Sequence, residues 1–251
     1  MNKNKLIIIC LLIIILVSVR LNFLFFNRSR NYYLQLNSLQ LNPLAIKFYP
    51  LDPNPEDTGN SQQKNIVFFG DSRARGWNSP KGFDDFNFVN RGISGQTTAQ
   101  VLGRLNQHIK PLSPDIVIVQ VGVNDLYRIP IFPENKETII SECKSNIKEI
   151  VRQSRQLGAV VILTTIFPIA EVPLERKLFW SPDIVATAIQ EVNDFIYSLE
   201  NEDVIIFDTG DILVNQQGKV RGEYSRDFLH LNRAGYKELN EKLMPILNRL
   251  Y

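Results

Sequence analysis

The stretch Asn65-Ile66-Val67-Phe68-Phe69-Gly70-Asp71-Ser72 decides how this chain is read. Five residues with strand character, apolar on both faces, run straight into a glycine, an acid and a serine. A strand apolar on both faces belongs in the middle of a sheet covered on both sides. The glycine permits a tight exit, and a helix beginning near Ser72 presents its first backbone N–H groups beside the hydroxyl. Asp71 and Ser72 suit two roles, as caps of that helix or as part of a reactive site.

Outward from this stretch the same alternation repeats. Asn65 to Phe69, Phe86 to Val89, Asp115 to Val121, Ala159 to Thr164 and Val204 to Phe207 read as strands. Thr97 to Ile109, Lys136 to Leu157, Pro182 to Leu199 and Asn232 to Leu250 read as helices. Strands separated by helices call for an α/β fold, a three-layer α/β/α sandwich on a mostly parallel five-stranded sheet. Phe68, Phe69, Phe86 and Phe88 are read as core. Ligands of such sheets gather at the carboxyl ends of the strands, where Gly70-Asp71-Ser72, Gly92 to Gly95 and Gly122-Val123-Asn124-Asp125 all fall.

The N-terminal part is of another kind. A short basic head, Met1 to Lys5, precedes the apolar run Leu6 to Val19, which extends through Arg20 and Asn22 to Phe26. Residues 1–26 are read as a membrane anchor or uncleaved signal, since Ser18-Val19-Arg20 lacks a small-x-small exit. Cleavage with secretion, or a buried or peripheral helix, are the alternatives. Basic residues flank both sides of the run and leave orientation open; the absence of a second span favours export of the rest. Residues 27–64, rich in asparagine and proline, are read as a polar tether with a short element around Leu34 to Phe48. Residues 65–251 form the globular domain.

Charge follows the same division. Residues 1–30 carry five basic side chains and no acid, so the net charge of +2 over the chain conceals a net of −3 beyond residue 30. That excludes a basic nucleic-acid footprint. Cys10 lies in the apolar run and Cys143 in an expected helix, so no disulfide is expected. His108 and His230, the only histidines, have no further ligands clustered with them, so no metal site is expected and the chemistry needs no cofactor.

A serine hydroxyl is a weak nucleophile at neutral pH and needs an imidazole base, itself oriented by a third group. Asp227-Phe228-Leu229-His230 supplies both, because a spacing of three lets one turn place the carboxylate against the ring. His108 sits at the end of an expected helix and reads as a capping or surface residue. Asn90-Arg91-Gly92-Ile93-Ser94-Gly95-Gln96-Thr97-Thr98 leaves the second strand with two glycines, and either threonine suits a helix N-cap. Asn124 offers a neutral amide donor that does not compete for the proton of the base.

These four blocks, in this order, resemble the SGNH, or GDSL-type, esterase and lipase superfamily over about residues 65 to 250. The resemblance implies a flavodoxin-like sheet and ester hydrolysis through an acyl-enzyme, with catalytic Ser72, Asp227 and His230. It implies an oxyanion site from Ser72, Gly95 and Asn124. The partner is a small-molecule ester, an acylated sugar or lipid among the options. The same residues would serve an O-acyltransferase, and a catalytically silent tethered binding module is the reading from another class. Ser72 is followed by Arg73 where the family motif has leucine. Arg73 is a candidate substrate contact, although pairing with Asp71 or Asp125 is the preferred reading. Pro168 to Trp180 is expected at the cleft rim, either lining an acyl site or tying down a loop.

Overall fold

The computed structural model describes residues 2–250 except 55, 56, 58, 61, 178 and 179. Two compact units emerge, residues 1–45 and residues 46–251. The first is one helix, α1 (Lys3–Leu41), of 39 residues with no buried side chain. An 18-residue window in it has a mean hydropathy of 2.8. At 1.5 Å per residue it is about 60 Å long, twice the roughly 30 Å of a hydrocarbon core. Residues 27–41, expected in a tether, therefore continue the helix; asparagine and serine are only mildly unfavourable there, and the prolines begin at Pro43.

The second unit contains five parallel strands: β1 (Lys64–Gly70), β2 (Phe86–Gly92), β3 (Ile116–Gln120), β4 (Val160–Thr164) and β5 (Val204–Phe207). Their order is β2-β1-β3-β4-β5, with all neighbouring pairs parallel. β1 and β3 lie inside the sheet, which is why both are apolar on both faces. The alternation of side chains sends Val67, Phe69, Val117 and Val119 into one core and Ile66, Phe68, Ile116 and Ile118 into the other. The first core is covered by α6 (Lys136–Gln156) and α8 (Pro182–Tyr197), the second by α10 (Arg233–Leu250). Phe68, Phe69 and Phe86 are buried, and Phe88 is half-buried against the second core.

The expected helix over Thr97 to Ile109 is divided. α3 (Thr98–Gly103) and α4 (Leu105–His108) meet at Arg104, whose backbone leaves helical geometry at φ −108°, ψ 4°. Gly103 weakens the helix at that point. The Arg104 side chain turns inward to carbonyls at the C-terminal ends of β1 and β2.

The second unit begins at Ile46, within the expected tether, and the described residues there are tied to the sheet. The Tyr49 hydroxyl donates to Gly92 O at 2.7 Å, and Arg91 pairs with Asp57 at 3.1 Å. His108 is buried, contrary to its expected surface role. Arg104 donates to its Nδ1 at 3.2 Å, so its Nε2 carries the proton and meets Ile46 O at 2.9 Å. Burial lowers the His108 pKa and outweighs the carbonyl of Ile46, which favours the charged ring. Glu56, Thr58 and Ser61 of the expected tether lie outside the described residues. A chain starting at Asn65 leaves Arg91 and His108 without these partners, at about 1 kcal/mol per lost bond. It should unfold at lower urea than one starting at Ile46, by about 2–4 kcal/mol in all; coincident midpoints would show that residues 46–64 add nothing.

Candidate active site

The first strand ends against its neighbour. Gly70 has φ +155°, and a Cβ there would stand 1.8 Å from the Gln120 carbonyl oxygen, so only glycine fits. The chain turns at once into α2 (Ser72–Arg75). Asp71 is its cap, its Oδ1 accepting from Arg73 N at 2.8 Å. The capping alternative thus holds for Asp71, while the Ser72 hydroxyl is directed elsewhere.

Ser72 Oγ lies 3.0 Å from His230 Nε2. The opposite ring nitrogen, Nδ1, lies 3.0 Å from both Asp227 carboxylate oxygens. Asp227 Oδ1 also accepts the N–H groups of Leu229 and His230, each at 2.8 Å, so the tight loop fixes the acid in the orientation that holds the ring. Burial works to raise the Asp227 pKa, but these N–H groups and the imidazole outweigh it and hold the carboxyl below its usual range. Nδ1–H donates to Asp227, leaving Nε2 as acceptor for the serine proton.

Ser72, Gly95, Asn124 and His230 line one cleft of about 520 Å³, together with Arg75, Gly76, Ser94, Arg226 and Leu229. Gly122 has φ +108°, and a Cβ there would meet Ile166 Cδ1 at 2.6 Å; it opens α5 (Val123–Leu126), which carries Asn124. Asn124 Nδ2 donates to Gln96 O at 3.0 Å. An amide nitrogen has two hydrogens, so one remains beyond that bond.

Arg73 does not reach the cleft. It is fully buried, its Nη1 donating to Phe167 O at 2.6 Å and its Nε to Leu229 O at 3.1 Å. The guanidinium lies 3.7 Å from the Phe167 ring centroid. The substrate-contact role is therefore corrected: an arginine after the serine turns toward the core because two backbone carbonyls and an aromatic face receive it there. Of the expected pairing with Asp71 or Asp125, among the described residues the guanidinium makes no ion pair within hydrogen-bond distance of either acid, although Asp71 attracts it and accepts from the Arg73 backbone N–H. Burial lowers the Arg73 pKa to about 10, against the attraction of Asp71.

Three positioning groups escaped the sequence reading. Asp125 Oδ2 accepts from Thr98 N at 2.9 Å, and its Oδ1 accepts from the Thr98 hydroxyl at 2.6 Å. This ties the Asn124 block to the start of α3. Burial raises the Asp125 pKa despite those bonds. Arg104 donates to Gly70 O at 2.8 Å, Arg91 O at 2.9 Å and Gln96 Oε1 at 2.5 Å. Gln96 completes the link to Asn124. The segment Pro168 to Trp180 supplies none of the cleft lining among the described residues. Trp180 stacks on Tyr127 at 4.9 Å, and Ala170 N bonds to Phe228 O at 2.9 Å. The tie-down reading applies; Leu178 and Phe179 lie outside the described residues.

The model of the GDSL-like lipase/acylhydrolase family matches residues 68–238. The chain belongs to that family. Platelet-activating factor acetylhydrolase IB subunit alpha2 of Homo sapiens is 27% identical over 232 residues, covering 82% of this chain and 92% of its own length. An acetylxylan esterase of Geobacillus stearothermophilus is 28% identical over 111 residues, 42% of this chain and 50% of its own. A solved structure described as a putative platelet activating factor from Streptococcus pneumoniae superposes with a TM-score of 0.67 at 24% identity, covering 87% of this chain and 99% of that one. It shares the fold. The family is one of acylhydrolases, and this chain is a hydrolase of that family.

Asp71, fully buried beside Ser72, makes a separate forecast. Burial pushes its carboxyl up to about 7, against the Arg73 N–H and guanidinium. An unfolded aspartate titrates near 4, so the folded chain holds an extra proton between about pH 4 and 7. The stability due to this group is greatest at low pH, falls as pH rises through that window and is lost above it. Asp71→Asn keeps the cap oxygen and removes the titration. In urea unfolding, the variant should gain on the unsubstituted chain steadily from pH 4 to 7; a difference independent of pH would refute the raised carboxyl.

Proposed function

We propose that the protein is a serine-dependent carboxylic-ester hydrolase tethered to a membrane by α1. The observation that carries the reading is the unbroken relay from Asp227 through His230 to Ser72, with both contacts at 3.0 Å. Ser72 Oγ attacks the ester carbonyl carbon while His230 Nε2 takes the hydroxyl proton, and Asp227 holds the ring tautomer and stabilises the imidazolium. The carbonyl oxygen, now negative, is met by the N–H groups of Ser72 and Gly95 and by the free amide hydrogen of Asn124. His230 returns its proton to the departing alcohol as the C–O bond breaks. Water then attacks the acyl-enzyme, giving its proton to His230, and Ser72 leaves with that proton as the acid is released.

The acetylhydrolase and acetylxylan esterase names among the relatives support a small acyl group. The cleft supports it too: among its lining residues Leu229 is the one large aliphatic side chain, which leaves little for a long alkyl chain to pack against. An acetyl group suits such walls better than a long alkyl chain. The length and hydropathy of α1 support burial in lipid, and reading the apolar N-terminal run as an export signal puts the catalytic domain on the extracytoplasmic side.

Replacing Ser72 or His230 with alanine should lower acetyl-ester turnover by several orders of magnitude, and the double replacement should cost little beyond the larger single loss. Additive losses would break the catalytic unit. Asn124→Ala should reduce kcat by about 100-fold or more, roughly 3 kcal/mol, with a smaller change in KM. Because Asn124 also bonds to Gln96, thermal unfolding of the variant is measured beside its kinetics; intact turnover with collapsed stability would make it structural. The full chain should resist carbonate extraction from membranes, and its catalytic domain should survive protease added from the cytoplasmic side. Digestion there would overturn the orientation.

A further inference from the structure

Arg75 ends α2, three residues beyond Ser72, and lines the same cleft. Among the described residues its guanidinium makes no hydrogen bond and no ion pair. It lies instead over the ring of Phe48, 4.9 Å from the centroid. Phe48 comes from the segment that precedes β1 and lies outside the family match, which begins at residue 68. An aromatic face restrains a guanidinium without neutralising it, so Arg75 stands charged and preorganised with its donors unspent.

A second arginine faces the same space. Arg226 lines the cleft, and the acid it pairs with among the described residues, Asp227 at 3.5 Å, is already engaged by two N–H groups and an imidazole. Of the nine residues lining the cleft, two are arginines and none is an aspartate or glutamate. The chain beyond residue 30 carries a net charge of −3, so this local excess of positive charge runs against the composition around it. Two permanently charged forks stand beside the serine, Arg75 with no carboxylate partner among the described residues and Arg226 beside only the already engaged Asp227, and together they form a receptor for an anion.

We infer that the cleft takes an acyl ester whose alcohol portion carries a carboxylate or phosphate, bound by Arg75 and Arg226 while the ester carbonyl sits at Ser72. The inference rests on the hydrolase reading above and adds the class of substrate. Arg75 and Arg226 act on binding and alignment, so their effect falls on KM more than on kcat. A neutral ester of the same shape lacks that attraction and leaves the two charges facing solvent.

The test uses the full chain in nonionic detergent and three substrates acetylated at the same sugar hydroxyl: methyl glucoside, methyl glucuronoside and glucose 1-phosphate. The expected kcat/KM for one or both anionic esters exceeds that of the neutral ester by about 10-fold at low salt, and the advantage shrinks in about 0.5 M sodium chloride. The carboxylate and phosphate arms identify which anion is favoured. Arg75→Gln should collapse the anionic-to-neutral ratio several-fold, and Arg75→Lys should restore part of it by returning the charge without the fork. Arg226→Gln should act in the same direction, but its neighbour Asp227 makes Arg75 the deciding position. An anionic-to-neutral ratio near one in the unsubstituted protein, or a preference that Arg75→Gln leaves intact, overturns the inference. Hydrolysis of the neutral ester, lost in Ser72→Ala, reports separately on the hydrolase reading; if the protein cleaves none of the three esters, that reading falls and the inference falls with it.

Discussion

The cleft depends on one buried cation. Arg104 is completely shielded from solvent, and its guanidinium joins the carbonyl at the end of β1, the carbonyl near the end of β2, the Gln96 side chain and the His108 ring. A carbonyl oxygen has two lone pairs, and Gly70 O, which accepts one bond from Ile93 N at 2.9 Å, has room for a second donor. A guanidinium with five donors answers several acceptors at once. Its own burial is unfavourable, lowering its pKa to about 9, yet it stays charged at neutral pH. Breaking the tie would leave the buried charge without its partners and Gly70 O with only its bond from Ile93 N, and stranding a buried charge is more damaging than never having built the tie. Through Gln96 the same tie reaches the amide of Asn124.

The contacts among Asp227, His230 and Ser72 are held by local geometry, not by depth. Asp227 and His230 are partly exposed, and the loop between them is made rigid by N–H groups turned onto the carboxylate. Phe228, between them in sequence, packs 5.9 Å from Trp180 and 6.3 Å from Tyr127, so the loop is fastened from its apolar side. Arg73 fastens it from below by donating to Leu229 O. The loop from Asp227 to His230 therefore gains order from residues that do not line the cleft, as a site on a loop requires.

The sheet was legible in the sequence because burial on both faces writes itself as uninterrupted apolar runs, and Ile66 to Phe69 and Ile116 to Val119 have no other stable place. Ser72, Gly95, Asn124 and His230 were legible as a set, since each lies just past a strand or in the last loop, and the structure brings all four to one cleft. What escaped was polar groups turned inward. Arg73, Arg104 and His108 each carry the pattern of a surface residue, and each is buried because a backbone carbonyl far along the chain receives it. Periodicity records which residues are apolar, not where unmet carbonyls wait. Tyr49 and Asp57 were hidden for a related reason: the prolines around them resemble a tether, while the two side chains are matched to Gly92 and Arg91 on β2.

The central claim is that His230 activates Ser72 in the assembled cleft. Reaction of the protein with a serine-directed phosphonate, followed by mass spectrometry of its peptides, tests it most directly. The account predicts one equivalent of label on Ser72 and, in His230→Ala, labelling of Ser72 slowed by orders of magnitude with the fold intact. Label on another residue, or equally fast labelling of Ser72 without His230, would contradict it.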